Sequence, residues 1–547
     1  MAHLSPEALV KRAEKAGAKR DAFAQLMQDC HAYALPERDS WQGYGYGQDR
    51  HVKVYDSTAV VSAARFANRL QSALFPPQQR WAKLALPPEL EGEDDALPVM
   101  AALERAEARL FAHIHASNFD VSVNEWAQEM AAGTACLLIE NGRTGTKRTR
   151  APLLRFTAVP AGLVAFDEGP FGVVEGVFYT QKMPARLVAR TYPDATNLPA
   201  EITEAAARDD AQDVELLQAT YYDAEDDVFR FDVLHKASKA RLVERQYRTM
   251  PWVVTRWTKA PGETHGRGPL TQALPDIRTV NKLVELMLKS ASLAVGGVYT
   301  VLDDGVLNPA NVRIVPGAMI PVRSNATGGA GPSLKPLEFS GNFQLNAELQ
   351  QQMQTRIRQV MFDNPLPPEV EVGLTATEVI ERVRRFQADT GAFGRLHVDA
   401  VQPVVLRCID ILDEAGELAD ADLADLLDLL RQDTIRVQAK GALAAAQDQA
   451  DVQAVMQLVT GTASLGEFGL QLLANALDTE RTARFLTKRL GIPAEIVPTD
   501  AELKARKDAQ AKQQQAAQIM QSPVAAQLAG AAGRAMADQA APAEAAA

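Results

Sequence analysis

The hydrophobic period of this chain changes twice, and those changes bound what it can fold into. From Ser5 to Ser117 apolar residues recur every three to four positions, the spacing of one helix face. From Thr134 to Trp257 they recur every second position, the spacing of one strand face, and from Asp276 the helical period returns. A segment patterned for one period cannot bury its apolar side in the other, so the chain must be mixed: α+β, mostly α.

The ends of the segments carry their own chemistry. Ser5 and Pro6 form an N-cap and first-turn pair for a long amphipathic helix running through Leu9, Ala16, Phe23, Met27 and Cys30 to before Pro36. Asp56 or Ser57 can cap a second helix, whose stripe Val60, Ala64, Ala67, Leu70 and Leu74 stops at Pro76 and Pro77. These prolines sit in SALFPPQQRWAKL, a corner with a lone tryptophan and no nucleophile, base or metal ligand. A third helix is expected from Leu97 to Ser117. The runs ACLLIE, PLLRFTAV, GLVAFD, GVVEGVFY, VELLQATYY and VFRFDVL, parted by DEGPFG and DAEDD turns, predict an antiparallel meander closed by PWVVTRW.

After GETHGRGPL a helix is expected from about Asp276 to Val295, with Val280, Leu283, Val284, Met287 and Ala291 on one face and Lys282, Glu285 and Lys289 on another. Val298 to Asn342 reads as short strands and loop, and Asn346 to Phe362 as a second helix. DNPLPPEVEVG interrupts the chain with three prolines, and TATE at Thr375 to Glu378 is a capping box opening a helix toward Pro403. From Ser522 the sequence is alanine-rich with little to bury, the signature of a disordered tail.

Composition narrows the function classes. The 547 residues provide for a sizeable core and more than one sub-domain, and a net charge of −12 argues against a protein that holds nucleic acid tightly, because Lys and Arg supply most non-specific affinity. Three scattered cysteines, Cys30, Cys136 and Cys408, give neither a disulfide framework nor a CxxC metal site and fit a reducing cytoplasm. The start, MAHLSPEALVKRAEKAGAKR, has no apolar signal region, and no run of eighteen apolar residues occurs, so neither a secretion signal nor a membrane span is expected.

Candidate chemistry falls away on inspection. GRTGTK and GGAGPSLK lack the Gly-Lys-Ser/Thr order of a P-loop. His113 and His115 would share a face only on a strand, yet they end a helical run. PTDAELK superficially looks like a nuclease acid set but is better explained as a capped helix start at Asp500. The basic run Arg382, Arg384 and Arg385 reads as a solvated helix face rather than a DNA contact.

Four stretches in order say more: VYDSTAVVSAARFANRLQSALFPPQQRWAKL, RWTKAPGETHGRGPLTQALPDIRTVNKL, LTATEVIERVRRFQADTGAFGRL and LGIPAEIVPTDAELKARKDAQAKQQQAAQ. Together they resemble the portal, or head-to-tail connector, proteins of short-tailed bacteriophages. The resemblance implies a portal-type subunit with wing, stem, clip and helical crown, assembled as a ring of about twelve copies around a central channel. Mapped onto this chain it implies a wing over 1–268, a first stem helix within 269–297, a clip over 298–342 and a second stem helix over 343–362. It further implies a tunnel loop over 363–373, a long kinked wing helix over 374–416, crown helices over 417–521 and the tail over 522–547.

The same resemblance implies no cofactor and no enzymatic activity. Its implied partners are double-stranded DNA in transit, the terminase large subunit, scaffolding and major capsid proteins, and tail adaptor and internal core proteins, with a place in the virion and, during assembly, the host cytoplasm. Candidate channel-facing residues are Lys282, Lys289 and Arg356, although Lys282 and Lys289 pairing with Glu285 or a neighbouring subunit reads equally well. Tunnel-loop candidates are Asn364, Pro365, Leu366, Pro367, Pro368, Glu369 and Glu371, and clip candidates for motor docking are Arg313 and Arg323. Two other readings stand beside it: a DNA-processing nuclease of the packaging machine, and a ring scaffold without DNA passage.

Overall fold

A computed structural model describes residues 4–41, 47–87, 96–144, 151–208, 213–296, 299–302, 315, 319–322, 334–336, 343–363, 393–418, 435–440, 442–463, 482 and 486–487. The first helical stretch is two helices, α1 (Pro6–Asp21) and α2 (Ala24–Ala34). Ser5 caps α1 as expected, its Oγ accepting from the Ala8 N–H at 3.3 Å. The break at Ala22 and Phe23 has a tertiary cause. Leu9, Val10 and Ala16 of α1 pack on a β-sheet, whereas Met27 and Cys30 of α2 belong to the main helical core.

The main core is built on α3 (Thr58–Leu74), β1 (Ala82–Ala85), α4 (Ala96–His115) and α5 (Phe119–Ala132). Here the proline corner shows its purpose. Phe75 ends α3 by donating its N–H to Gln71 O at 2.7 Å, and Gln78 takes a positive φ of 58° to turn the chain. Trp81 is thereby driven into the core, edge-on to Phe75 at 4.8 Å and Phe111 at 5.1 Å and stacked on Phe119 at 5.5 Å. The chain then continues as β1.

Two sheets follow. One is three-stranded, in the order β3 (Leu154–Val159), β2 (Thr134–Asn141), β9 (Trp252–Arg256). The other is an antiparallel meander of β4 (Val164–Glu168), β5 (Val174–Pro184), β6 (Asp213–Asp223), β7 (Val228–His235) and β8 (Ala240–Tyr247). The expected single meander is therefore divided: PWVVTRW, as β9, returns to β2 with Cys136 opposite Val254 and Leu138 opposite Trp252. Two short helices, α6 (Ala185–Thr191) and α7 (Ala200–Ala207), cover the meander through Val188 and Ile202.

The chain then crosses back over itself. Gly266 N–H donates to Thr134 Oγ1 at 2.8 Å and Gly268 N–H to Ala132 O at 3.1 Å. A Cβ on Gly268 would lie 2.2 Å from Ala131 O, so only glycine admits this backbone crossing. Just before the first of these glycines, His265 is stacked on Phe166 at 4.2 Å, and burial, with Arg20 and Arg256 nearby, lowers its pKa to about 3, so it packs as a neutral ring.

From this crossing rises α8 (Pro269–Gly296), followed by the short strands β10 (Tyr299–Leu302), β11 (Met319–Val322) and β12 (Leu334–Pro336) and by α9 (Phe343–Val360). The first helix starts at Pro269 rather than about Asp276. Pro275 lies inside it, and its missing N–H is tolerated where Leu270, Ala273, Leu274 and Ile277 bury the surrounding turns. Last come α10 (Val401–Glu414), β13 (Arg436–Ala439) and α11 (Ala442–Ala463). Pro403 sits in the first turn of α10 and does not stop a helix there. Within 417–521, where helices are expected, Arg436–Ala439 instead form a strand antiparallel to β1, with Leu84 opposite Val437, and Lys440 N–H donates to Trp81 O at 2.8 Å.

A buried triad ties α2 to α5. His31 Nδ1 faces Met27 O at 2.8 Å and Nε2 faces Glu129 Oε2 at 3.4 Å, while Arg38 Nε donates to Glu129 Oε1 at 2.9 Å. Two acceptors on the two ring nitrogens call for the imidazolium form. Burial opposes that charge, but the Glu129 hydrogen bond and carboxylate, the Met27 carbonyl and the Asp39 charge outweigh it and raise the His31 pKa; burial likewise opposes the Glu129 charge, which His31 and Arg38 restore. A base with a raised folded pKa contributes stability that is full below its unfolded value, about 6.5, and is lost as pH rises through the folded value. Denaturant titrations should therefore show stability falling on the alkaline side of neutrality, and His31→Gln should flatten that slope at a cost of about 1–3 kcal/mol at pH 6.

Candidate functional site

The sequence directs attention to α8 and α9, and the structure shows how this helix pair is rooted. In α8, Asn281 uses its whole amide: Oδ1 accepts from the Tyr55 and Asp56 N–H groups at 2.8 and 3.0 Å, and Nδ2 donates to Ile277 O at 2.9 Å. Asp56 in turn caps α3, accepting from the Thr58 N–H at 3.0 Å, and accepts from Gln354 Nε2 of α9 at 2.6 Å. One residue at the start of α3 thus joins both helices of the pair, its backbone N–H to Asn281 of α8 and its carboxylate to Gln354 of α9. Ser57, the other capping candidate, makes no side-chain cap bond.

The second anchor lies at the end of α9. Phe362 has φ 55°, its N–H donates to Gln359 O at 3.2 Å, and Asp363 N–H donates to Arg358 O at 2.7 Å. This is a Schellman termination with phenylalanine where glycine is usual. A left-handed residue with a Cβ costs about 1–2 kcal/mol. The offset comes from packing: the Phe362 ring lies 5.4 Å from Phe393, 5.7 Å from Trp257 and 6.3 Å from Phe66, and Arg395 covers Trp257 at 4.5 Å.

The buried Asp363 carboxylate is gripped by one face of α3. Ser62 Oγ donates to Oδ2 at 2.9 Å, Arg65 Nη1 reaches Oδ1 and Oδ2 at 3.2 and 3.3 Å, and Arg69 donates to the Phe362 carbonyl. Ser62, Arg65 and Arg69 are spaced by three and four, so they form one row of the helix. Phe66, a step around, supplies the aromatic contact. The whole of α3 is in effect the socket for the pair.

Beyond the sockets the two helices leave the core. Val280 and Ile357 are fully buried, whereas Leu286, Leu288 and Leu349 are exposed and Val295 is 90 % exposed. Lys282 and Lys289 lie on this outer half, and both bind Glu285, at 3.0 and 2.5 Å. Lys289 and then Lys282 hold the Glu285 carboxyl below its usual range. The trio therefore carries one net positive charge rather than two. Arg356 is exposed on α9. Asn364, Pro365, Leu366, Pro367, Pro368, Glu369, Glu371, Arg313 and Arg323 fall outside the described residues, as do the basic run Arg382, Arg384 and Arg385 and the segment at Asp500.

The other sequence candidates are spent on structure. His113 lies 3.8 Å from Glu417 and His115 lies 3.3 Å from the Gln79 carbonyl, so the two histidines serve different neighbours. The three cysteines are buried, and burial pushes their thiols well up, Cys30 to about 12. Among the described residues no group of three or more side chains is arranged to hold a metal ion, and no helix is long and apolar enough to cross a membrane.

Fold and site together define a structural subunit of mixed helix and strand that roots a helix pair in its core. The chain belongs to the bacteriophage head to tail connecting protein family, whose model matches residues 7–497. This is a family of structural proteins, and the chain is not an enzyme. Solved structures similar to it come from gene transfer agent (GTA) particles. A chain in the neck of an empty GTA particle computed with C6 symmetry is 11 % identical, with a TM-score of 0.33, covering 79 % of this chain and 90 % of that one. A chain in the neck of a native GTA particle computed with C12 symmetry is 12 % identical, with a TM-score of 0.27 and coverage of 68 % and 87 %. A chain in the virion of a native GTA particle is 9 % identical, with a TM-score of 0.25 and coverage of 68 % and 89 %. No curated protein matches.

Removing the Asp363 carboxylate tests the socket. Asp363→Ala leaves Ser62 and Arg65 without their acceptor and should cost about 3 kcal/mol in denaturant unfolding. Arg65→Ala should cost about 1 kcal/mol, because the Arg65 side chain is 56 % exposed and water replaces much of what it loses.

Proposed function

We propose that this chain is the portal subunit of a bacteriophage, forming a closed ring of about twelve copies at one capsid vertex. The observation that carries the reading is the rooted pair: two helices with buried, hydrogen-bonded bases and outer halves that expose Leu286, Leu288, Leu349 and Val295 in the isolated subunit. Apolar side chains gathered along one helix pair suit coverage by neighbours, and a ring supplies a neighbour on each side. In this reading α8 and α9 are the stem, residues 298–342 the clip that meets the terminase large subunit and later the tail adaptor, and 363–373 the tunnel loop. The parts built around α3 and the two sheets are the wing, which meets scaffolding and major capsid proteins, and residues beyond 416 include the crown, which meets internal core proteins. The particle is that of a short-tailed phage, and the ring assembles in the host cytoplasm before entering the virion.

Double-stranded DNA passes through the channel during packaging and ejection, and the charge suits a duct. A net charge of −12 on each subunit repels a polyanion over most of the surface. The Lys282, Glu285 and Lys289 trio together with Arg356 leaves a weak basic ring that centres DNA without holding it. Glu369 and Glu371 add repulsion where the channel narrows, effective over about 8 Å at physiological salt.

End-on electron microscopy and native mass spectrometry of the purified protein test this directly. The expected result is a closed ring of about twelve subunits with a central opening wide enough for a duplex. Monomers and dimers alone at every concentration would contradict it, and a closed ring too narrow for a duplex would favour the scaffold reading.

A further inference from the structure

One carboxylate in the core holds two parts of the chain at once. A Glu129 oxygen of α5 faces His31 Nε2 of α2 at 3.4 Å, and the other accepts from Arg38 Nε, of the single turn Pro36–Arg38, at 2.9 Å. His31 and Glu129 are each 1 % exposed, so water cannot take over a lost partner. With Met27 O 2.8 Å from Nδ1, the ring satisfies both neighbours only while both nitrogens carry hydrogen. A neutral ring has one donor. It must turn a lone pair toward the Met27 carbonyl or toward Glu129, and in the second case the buried carboxylate keeps less to offset its charge.

The surroundings do not supply a substitute. Glu125 of α5 lies 3.4 Å from Arg38, the Asp39 charge acts on the ring, and the Cys136 thiol of β2 is raised by burial and then by Glu129. On another face of α2, Asp29 and Arg278 lie beside Cys30. Acids outnumber bases among these described groups around the ring. Arg38 is the cation left on Glu129 once the ring is neutral.

Both parts held by Glu129 reach the base of the helix pair. From α2, Asp29 pairs with Arg278 of α8, and Gln25 Nε2 donates to the same carboxylate at 3.2 Å. From the turn, Glu37 O accepts from Arg50 Nη1 at 2.8 Å, and residues 47–56 lead to Tyr55 and Asp56, whose N–H groups bind Asn281 of α8. Arg278 and Asn281 are three residues apart, so the two connections arrive on one face of α8. We infer that the His31, Glu129 and Arg38 triad is a pH-sensitive latch on the root of the helix pair, closed while His31 is charged and opening locally, with α2 and residues 47–56 loosening from α8, once His31 loses its proton.

The direction follows from the two states of the ring. In the opened state His31 returns to the ordinary range of about 6.5, whereas the closed state holds it above that value. Opening therefore becomes easier as pH rises from about 6.5 to the closed value and levels off beyond it. The loosening is local. It precedes global unfolding and is not visible in the alkaline slope of stability alone.

Hydrogen exchange of the full chain between about pH 6 and 9, with intrinsic rates divided out, tests it. Protection of the Tyr55 and Asp56 amides and of the last turn of α2 is expected to fall about tenfold or more over this range, while the middle of α3 and strands β6 and β7 keep theirs. His31→Gln, whose neutral amide can donate to Glu129 at any pH, should remove the dependence. Protection that stays constant in the wild type, or that falls equally in α3 and β6, would overturn the latch. A fall that persists in His31→Gln would do the same. Should that variant fold poorly, the nitrogen NMR shifts of the His31 ring in the wild type take its place: a midpoint shared with the Tyr55 amide supports the latch, and a different midpoint overturns it.

Discussion

The helix pair depends on a buried carboxylate, Asp363, held by the side chains of a helix three hundred residues earlier in the chain. Ser62 and Arg65 bind it, Arg69 binds the carbonyl before it, and Phe66 packs on the ring of Phe362. These contacts fix where α9 ends and in which direction the chain leaves. Asn281 and Gln354, both on Asp56, fix where α8 and α9 enter the core. The pair is therefore set by α3 at two points, and its direction is a property of the core rather than of the outer halves.

The energetic balance at this socket is instructive. A buried ion pair is by itself weak support, because desolvation offsets much of the Coulomb attraction. Here Arg65 stays partly in water, so its charge costs little to place, and the neutral Ser62 hydroxyl takes the second share of the carboxylate. The left-handed Phe362 costs about 1–2 kcal/mol, which its aromatic contacts, about 0.5–1.5 kcal/mol each, can offset. Phe393, the first described residue after 363, touches Phe362 at 5.4 Å. The described residues on either side of 364–392 thus meet at one aromatic cluster.

Much of the fold was legible because local chemistry agreed with tertiary structure. Ser5 and Pro76 mark real helix ends, and the period-two runs are strands β2 to β7 and β9. What was illegible depended on distant partners. The separation of α1 from α2 follows from two different cores, and nothing at Ala22 announces it. The pairing of β1 with β13 joins residues some 350 positions apart, and Pro403 looked like a terminator because a proline in a first turn and a proline after a last turn read alike. At the site, the helix pair was legible from its stripe. The socket was not, although the row Ser62, Arg65, Arg69 on the polar side of a strongly apolar helix was a signal that something polar must face it. The sharing of Glu285 by Lys282 and Lys289 was already visible at spacings of three and four.

Hydrogen exchange on the intact protein tests the rooting of the helix pair most directly. The amides of Met361, Phe362 and Asp363 donate to Ile357, Gln359 and Arg358 at 3.0, 3.2 and 2.7 Å. If the socket holds, these amides are protected as strongly as those in the middle of α3, although they sit at a helix end where fraying is the rule. Exchange of these three amides as fast as that of the exposed turns around Leu286 to Val295 would contradict it.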